Sequence, residues 1–315
     1  MSERDSPWSK GPRKPPARTP DAPRRDTRAP DARRPDTRTH EAKPHHHKPS
    51  RQPSPRDIAT QDHQHVREHR ETELRLYGVN AVKAAFHRRP DALRKLYLVN
   101  DRIPQLQPML RWCVAHRIGY RVVEDEADLQ RLAASTHHEG VVADFAREQQ
   151  DTLTHWLQHL HEGPACLLWL DGVGNPHNIG AILRSAAHFG VRAILLPKHS
   201  QIALSGAAAR VAEGGAEAVP FVRLGRDDNA IAQLRGAGFQ LAATVVRDGT
   251  PLFKAQLPPR LVYVLGAEGE GMSPDLAAAC DQRVSIPGSG KVESLNVAAA
   301  TAVLLAEWAR ANQGF

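Results

Sequence analysis

Three segments in the second half of the chain share one plan: an apolar stretch with the look of a buried strand, a turn rich in glycine or asparagine, then the start of a helix. The first turn is Asn175-Pro176-His177-Asn178-Ile179-Gly180, the second Gly266-Ala267-Glu268-Gly269-Glu270-Gly271, and the third Pro287-Gly288-Ser289-Gly290-Lys291-Val292-Glu293-Ser294-Leu295-Asn296. Strands followed by helices in this alternation build a parallel α/β sheet. In such sheets the small polar side chains and free backbone N–H groups of the turns gather outside the carboxyl ends of the strands, where ligands bind. The pattern therefore predicts an α/β fold with one composite site supplied by three distant parts of the chain.

Periodicity places these blocks in the larger of two domains. It begins near Leu74, with a helix over residues 78–86 that lines up Val79, Val82 and Phe86, a strand at 96–99, a helix over 105–116, a strand at 120–123, a short helix at 127–134 and a strand at 141–145. This makes a small α/β domain over residues 72–146. A polar stretch, 147–160, reads as a linker. A second α/β domain spans residues 161–315, with strands expected at 166–170, 193–196, 219–222, 240–245, 261–265 and 283–286. Ser273-Pro274 supplies a helix cap with proline at the first helical position. The last helix is expected from Ser294, as a capping hydroxyl, to about residue 311, with Asn296 one turn inside it. Its apolar residues cover nearly every face, so it is expected to be buried on more than one side, by its own domain or by a partner.

The first 70 residues are of another kind. They hold 17 Lys+Arg against 10 Asp+Glu, which is the whole formal charge of the chain, +7, and 12 of its 24 prolines. With Ile58 and Val66 as the aliphatic exceptions, the segment lacks the apolar surface to offset chain entropy and is expected to be disordered. Its spaced arginines suit contact with phosphates regardless of sequence, although a solubilising extension would look the same. His45-His46-His47 offers imidazoles without a fixed geometry, so no metal site is expected there. Cys113, Cys166 and Cys280 are far apart and form no C-x-x-C, which fits a reducing cytoplasm. The N-terminus carries no apolar signal core, and the longest apolar run, residues 297–306, is too short for a membrane span. A cytoplasmic protein without a membrane partner is expected.

Two nucleotide-binding readings fail on spacing. A dinucleotide fingerprint would need a third glycine in Gly172-Val173-Gly174-Asn175-Pro176-His177. A P-loop at Gly290-Lys291 would need glycine where Ser285 stands and a hydroxyl where Val292 stands. What remains is a set of polar residues with little structural excuse. Arg184 lies off the apolar stripe of its helix (Ile179, Ile182, Leu183, Ala186), Glu268 sits between glycines at a strand end, and Asn296 is a poor helix former.

In this order the blocks resemble the signature of the SpoU (TrmH-type) RNA 2′-O-ribose methyltransferases of the SPOUT superfamily: Asn178-x-Gly180-x-x-x-Arg184, Leu265-Gly266-x-Glu268-Gly269-x-Gly271 and Ile286-Pro287 running to Ser294-Leu295-Asn296. Gly78-Val79-Asn80-Ala81-Val82 and His138-Glu139-Gly140-Val141 resemble the substrate-binding domain, similar to ribosomal protein L30e, that precedes many such catalytic domains. The resemblance spans residues 75–312 and leaves the tail without a counterpart. It implies a C-terminal trefoil-knotted methyltransferase domain, S-adenosyl-L-methionine held around Thr244, Gly266, Ile286 and Leu295, and a homodimer. It also implies an RNA partner, ribosomal or transfer RNA, and not DNA.

The catalytic set that the resemblance implies is Asn178, Arg184, Glu268, Ser294 and Asn296. Family mechanisms give Arg184 the role of base; a guanidinium keeps its proton at any ordinary pH, which favours a positioning role. Two departures stand out: Gly288 where the family carries methionine, and Glu213-Gly214-Gly215-Ala216 where it carries Ser-x-Gly-Ala. A catalytically weak RNA-binding or ribosome-assembly factor on the same fold, or an enzyme acting on a tRNA guanine base, are the alternatives.

Overall fold

The computed structural model describes residues 72–312; the basic N-terminal segment with its expected disorder and its histidine triplet lies outside them. The first domain runs β1 (Glu73–Tyr77), α1 (Val79–Arg88), β2 (Leu93–Val99), α2 (Ile103–Ala115), β3 (Gly119–Val123), α3 (Glu126–Ala133) and β4 (Val141–Ala146). Its sheet has the order β1-β4-β2-β3, with β2 and β3 parallel and both pairs involving β4 antiparallel. Strand residues alternate between two faces, with one interruption in β2 between Leu93 and Lys95. Leu74, Leu76, Leu96, Leu98, Ala143 and Phe145 meet Val82 and Ala85 of α1 and Leu106, Met109 and Cys113 of α2. Tyr77, Tyr97, Val123 and Val142 meet Leu129 of α3 on the other side. Asp144, buried on that second face, accepts two hydrogen bonds from Arg75, at 2.7 and 3.0 Å, the pairing a buried carboxylate requires.

The second domain is built on eight strands, all parallel: β5 (Asp151–Thr152), β6 (Ala165–Asp171), β7 (Ala193–Leu196), β8 (Phe221–Arg223), β9 (Gln240–Thr244), β10 (Thr250–Pro251), β11 (Arg260–Gly266) and β12 (Gln282–Ser285). Their order is β10-β12-β9-β11-β6-β7-β8-β5. The central strands are apolar at every position because both faces are covered, Leu168, Leu170, Tyr263 and Leu265 on one and Leu167, Trp169, Val262 and Val264 on the other. The helices that matter below are α5 (Pro176–His188) after β6, α6 (Gly206–Val211), α7 (Gly215–Ala218), α9 (Pro274–Ala279) and α10 (Val297–Asn312); α4 (Leu153–Gln158) and α8 (Asp227–Gly236) complete the set.

Two sequence expectations need correction. The polar stretch 147–160 is not a free linker: β5 pairs with β8 at the sheet edge, and Thr152 caps α4, whose Leu153 is buried in the core. The last helix begins at Val297 rather than Ser294, and of the two covers expected for it the domain itself supplies one side, leaving Ala299 and Ala306 exposed.

The domains are joined by more than the chain. Gly206 lies so close to β1 that a Cβ on it would stand 2.5 Å from the Arg75 carbonyl oxygen, and Ala209 of α6 is packed into the core of the first domain. Glu217 of α7, its side chain only 8% exposed, accepts from Arg89 at 2.8 and 2.9 Å, and Arg88 approaches the same carboxylate at 3.4 Å. Asn80 donates to Glu213 at 2.6 Å, and Arg210 pairs with Glu139 at 3.0 Å. The residues at 213–216 that depart from the family pattern are thus part of the domain contact.

Candidate active site

Asn178 is placed by the start of α5. Asn175 caps that helix, accepting from the His177 N–H at 2.9 Å, and Pro176 fills its first position. Asn178 follows in the first turn, half-buried, above the carboxyl end of β6. Glu268 is placed by β11, whose neighbour in the sheet is β6. Directly after Gly266 the chain reverses: Ala267 and Gly271 exchange two backbone hydrogen bonds of 2.9 Å, and Gly269 and Gly271 take φ of 90° and 75°. The reversal is so tight that a Cβ on Gly266 would lie 2.4 Å from the backbone of Gly271 and Met272. The glycines here serve the turn itself before they serve any ligand. Asp171, at the end of β6, helps hold the next segment by accepting from the Ser273 N–H at 2.8 Å, and Ser273 caps α9 as its sequence indicates.

Asn296 is placed by α10, and as its cap. Its Oδ1 accepts from the N–H groups of Ala298 (2.9 Å) and Ala299 (3.4 Å). Ser294 is exposed and makes no hydrogen bond among the described residues, so the capping role expected of it belongs to the asparagine two residues on. With the oxygen engaged, the Asn296 Nδ2 donates to Asn178 Oδ1 and to Glu268 Oε1, both at 3.0 Å. The Val297 N–H also points to Glu268 Oε1, at 3.4 Å, so the carboxylate lies at the positive end of the α10 dipole.

Three residues separated by 90 and 28 positions are therefore joined in one network whose central member has both polar atoms of its side chain in use. The groups left over are the Asn178 amide donors and the second oxygen of Glu268. The site offers a ligand a donor and a charged acceptor side by side, held by a rigid side chain between them.

The other expected site residues are arranged around this trio without bonding to it. Arg184 lies on α5, six residues and about 9 Å of helical rise beyond Asn178, exposed and without a hydrogen-bond or ion-pair partner among the described residues. Thr244 ends β9 and donates from Oγ1 to the Val264 carbonyl at 2.8 Å, tying β9 to β11. Ile286, just past β12, is half-buried against the core, whereas Leu295 is 47% exposed. Strands β12, β9 and β11 are neighbours, so Ile286, Thr244 and Gly266 line consecutive strand ends. Sequence reasoning missed Asp171 and Asn175, although the spacing of Asn175 before Pro176 is itself a cap signal.

The cysteines take no part. Burial pushes the thiols of Cys113 and Cys166 upward and that of Cys280 up to about 11, so none is a ready nucleophile. Tyr263, buried and donating to the Leu304 carbonyl at 3.2 Å, is likewise driven upward by desolvation. Among the described residues no group of three His, Cys, Asp or Glu side chains is placed to hold a metal, and no helix is long and apolar enough to cross a membrane.

Comparison with known proteins meets this geometry from outside. Residues 165–306 match the SpoU rRNA Methylase family, and residues 75–150 match the family described as RNA 2′-O ribose methyltransferase substrate binding. The uncharacterised tRNA/rRNA methyltransferase YfiF of Escherichia coli O157:H7 is 39% identical over 248 residues, 79% of this chain and 71% of that protein. The 23S rRNA (guanosine-2′-O-)-methyltransferase RlmB of Bordetella pertussis is 36% identical over 241 residues, 76% of this chain and 98% of that protein. Among solved structures, a TrmH-family protein of Porphyromonas gingivalis superposes with a TM-score of 0.62 at 29% identity, covering 82% of this chain and 99% of the other. An AdoMet-bound rRNA methyltransferase from Sinorhizobium meliloti shares the fold, with a TM-score of 0.65 at 23% identity.

Proposed function

From the membership of this chain in the SpoU rRNA methylase family, we propose that it transfers a methyl group from S-adenosyl-L-methionine to the 2′-hydroxyl of a ribose in ribosomal RNA. The observation that carries this reading is the Asn178–Asn296–Glu268 network. It sits at the carboxyl ends of adjacent parallel strands and presents one donor and one anionic acceptor.

The residues present suit the cofactor. Half-buried Ile286 and exposed Leu295 give an apolar wall for adenine, the turn after Gly266 gives backbone polar groups, and Glu268 is a charge of the sign that favours a sulfonium. When bound, S-adenosyl-L-methionine supplies an electrophilic methyl group open to in-line displacement. The protein's own task is alignment, and holding reactants in line is worth several kcal/mol, effective molarities of about 10⁵ M or more. The Asn178 amide donates to the ribose, and the free Glu268 oxygen accepts the hydrogen bond of the 2′-OH and takes up its proton. Asn296 fixes both. Arg184 reaches the ribose-phosphate as a charged donor, and Ser294 adds a hydroxyl at the rim.

The C-terminal part is knotted and the protein is a homodimer through α10, supported by the uncovered small side chains Ala299 and Ala306 beside half-buried Val303. Val246 and Val292 are exposed nearby, with Arg247 and Glu293 paired at 3.8 Å between their segments. The protein acts in the cytoplasm. Mapping of 2′-O-methyl sites in the ribosomal RNA of cells with and without this protein tests the function: one site should vanish with the protein. An unchanged map with retained RNA binding would favour an assembly factor instead.

A further inference from the structure

The first domain carries a further concave site toward the sheet edge remote from β1. Strand β1 abuts α6, whereas this hollow, about 340 Å³, opens between the start of β2 and the end of α2. Asp91, Arg94, Trp112, His116 and Arg117 line it. Its floor is aromatic. Trp112 and His116, one helical turn apart, stack with ring centroids 3.7 Å apart and planes within 20°, and Phe86 meets the Trp112 ring edge-on at 5.9 Å. The His116 Nδ1 lies 3.0 Å from the Trp112 carbonyl, which fixes the imidazole plane, and the exposed His116 ends the stack at the surface. The indole N–H of Trp112 is buried and has no acceptor among the described residues, as befits an aromatic kept for its ring.

Both arginines stand at backbone irregularities. Arg94 is the extra residue of a bulge between Leu93 and Lys95 in the β2–β4 pairing, a device that re-aims a side chain, and its guanidinium bonds the Asp91 carbonyl at 2.8 Å. Arg117 follows α2 with φ 56°, in a left-handed conformation. There the Ile118 N–H bonds the Cys113 carbonyl (2.8 Å) and the Arg117 N–H the Val114 carbonyl (3.4 Å), a helix ending whose left-handed position glycine fills best. The turn needs only the backbone of Arg117. Its side chain is exposed and has no partner among the described residues, so a strained position is occupied by a residue the fold does not use.

We propose that this hollow anchors the RNA by one unpaired nucleotide, its base extending the Trp112–His116 stack and its phosphates meeting Arg117 and Arg94. Unstacked bases on aromatic rings, with arginines along the backbone, are the usual means of holding single-stranded RNA. Asp91, the acid on the rim, keeps the phosphates to the arginine side. The inference rests on the reading of the chain as an RNA methyltransferase. It adds a contact two to three strand spacings, about 10–14 Å, from the β1 edge, so the substrate reaches beyond the methyltransferase domain.

The test uses the full-length protein and its Arg117→Gly and His116→Ala variants, titrated with a fluorescein-labelled single-stranded octaribonucleotide containing one 4-thiouridine. Expected are a rise in Kd of about fivefold or more for His116→Ala, the scale of one lost stacking contact, and a several-fold rise for Arg117→Gly with a thermal midpoint equal to or above the parent's. Photo-cross-links should map to residues 112–118 and weaken in both variants at protein concentrations near the parent Kd. On ribosomal RNA, KM should rise with kcat unchanged. Parent-like Kd values in both variants, or cross-links that map elsewhere, overturn the proposal. Should the parent methylate no RNA while the octaribonucleotide still cross-links at residues 112–118, the anchor stands and the methyltransferase reading falls.

Discussion

Asn296 does two jobs with one amide, and two substitutions separate them. Its Oδ1 caps α10 through the N–H groups of Ala298 and Ala299, and its Nδ2 ties Asn178 to Glu268. Loss of an asparagine cap costs about 1 kcal/mol. The two donor bonds would add about 1 and about 2 kcal/mol if buried, but the site is open to water, so about half is counted. Asn296→Ala should therefore destabilise by about 2.5 kcal/mol, lowering the thermal midpoint by about 5–10 °C for a unit of this size. Asn296→Ser keeps a capping oxygen, and serine caps as well as asparagine, so its cost should be the donor bonds alone, about 1.5 kcal/mol.

Neither variant can hold Asn178 and Glu268 together, and both should lose about 10²-fold in single-turnover methyl transfer, the scale of one preorganised group. Differential scanning calorimetry and single-turnover transfer into ribosomal RNA read the two quantities. Asn296→Ser with parental turnover would refute the organising role. Equal midpoints for the serine and alanine variants would refute the cap.

Other consequences follow from single contacts. Arg184→Ala removes an exposed side chain without partners, so the thermal midpoint and calorimetric cofactor affinity should hold while methyl transfer falls at least about 10²-fold; undiminished turnover removes Arg184 from the mechanism. Gly266→Ala puts a Cβ 2.4 Å from the Gly271 and Met272 backbone, so the turn must open and both cofactor affinity and the midpoint should drop, and parental affinity would move the cofactor elsewhere. Glu217→Ala strands Arg89, whose side chain is only 14% exposed, at a cost of about 3 kcal/mol. Hydrogen exchange in α1 and α7 should rise, and unchanged protection there would show that the clasp does not hold the domains.

Much of this architecture was legible in the chain because its signals are local. The all-apolar strands around Leu168 and Val264 could only be buried on two faces, and the glycine and asparagine turns marked where they ended. What escaped depends on partners far away in sequence. Ser294 and Asn296 are both good caps two residues apart, and only the Glu268 carboxylate and the Asn178 amide, brought in by two other strands, favour the asparagine. Asp151 and Thr152 look like linker because an edge strand held by backbone bonds to β8 needs no apolar side chain. The Glu217–Arg89 clasp joins residues 128 apart, and nothing in either neighbourhood announces the other. Arg117 was invisible for the opposite reason: its oddity is a φ angle.

The central claim is that the acceptor is a ribose oxygen. Alkali cleaves RNA through attack of the 2′-oxygen on the adjacent phosphate, so a methylated ribose protects its own 3′ linkage while a methylated base does not. The measurement is transfer of tritiated methyl from S-adenosyl-L-methionine to unmodified ribosomal RNA, followed by complete alkaline hydrolysis and separation of the products by charge. The label should be recovered in alkali-resistant dinucleotides, and Asn296→Ser should abolish most of it. Label recovered in mononucleotides would place the methyl group on a base and contradict the account.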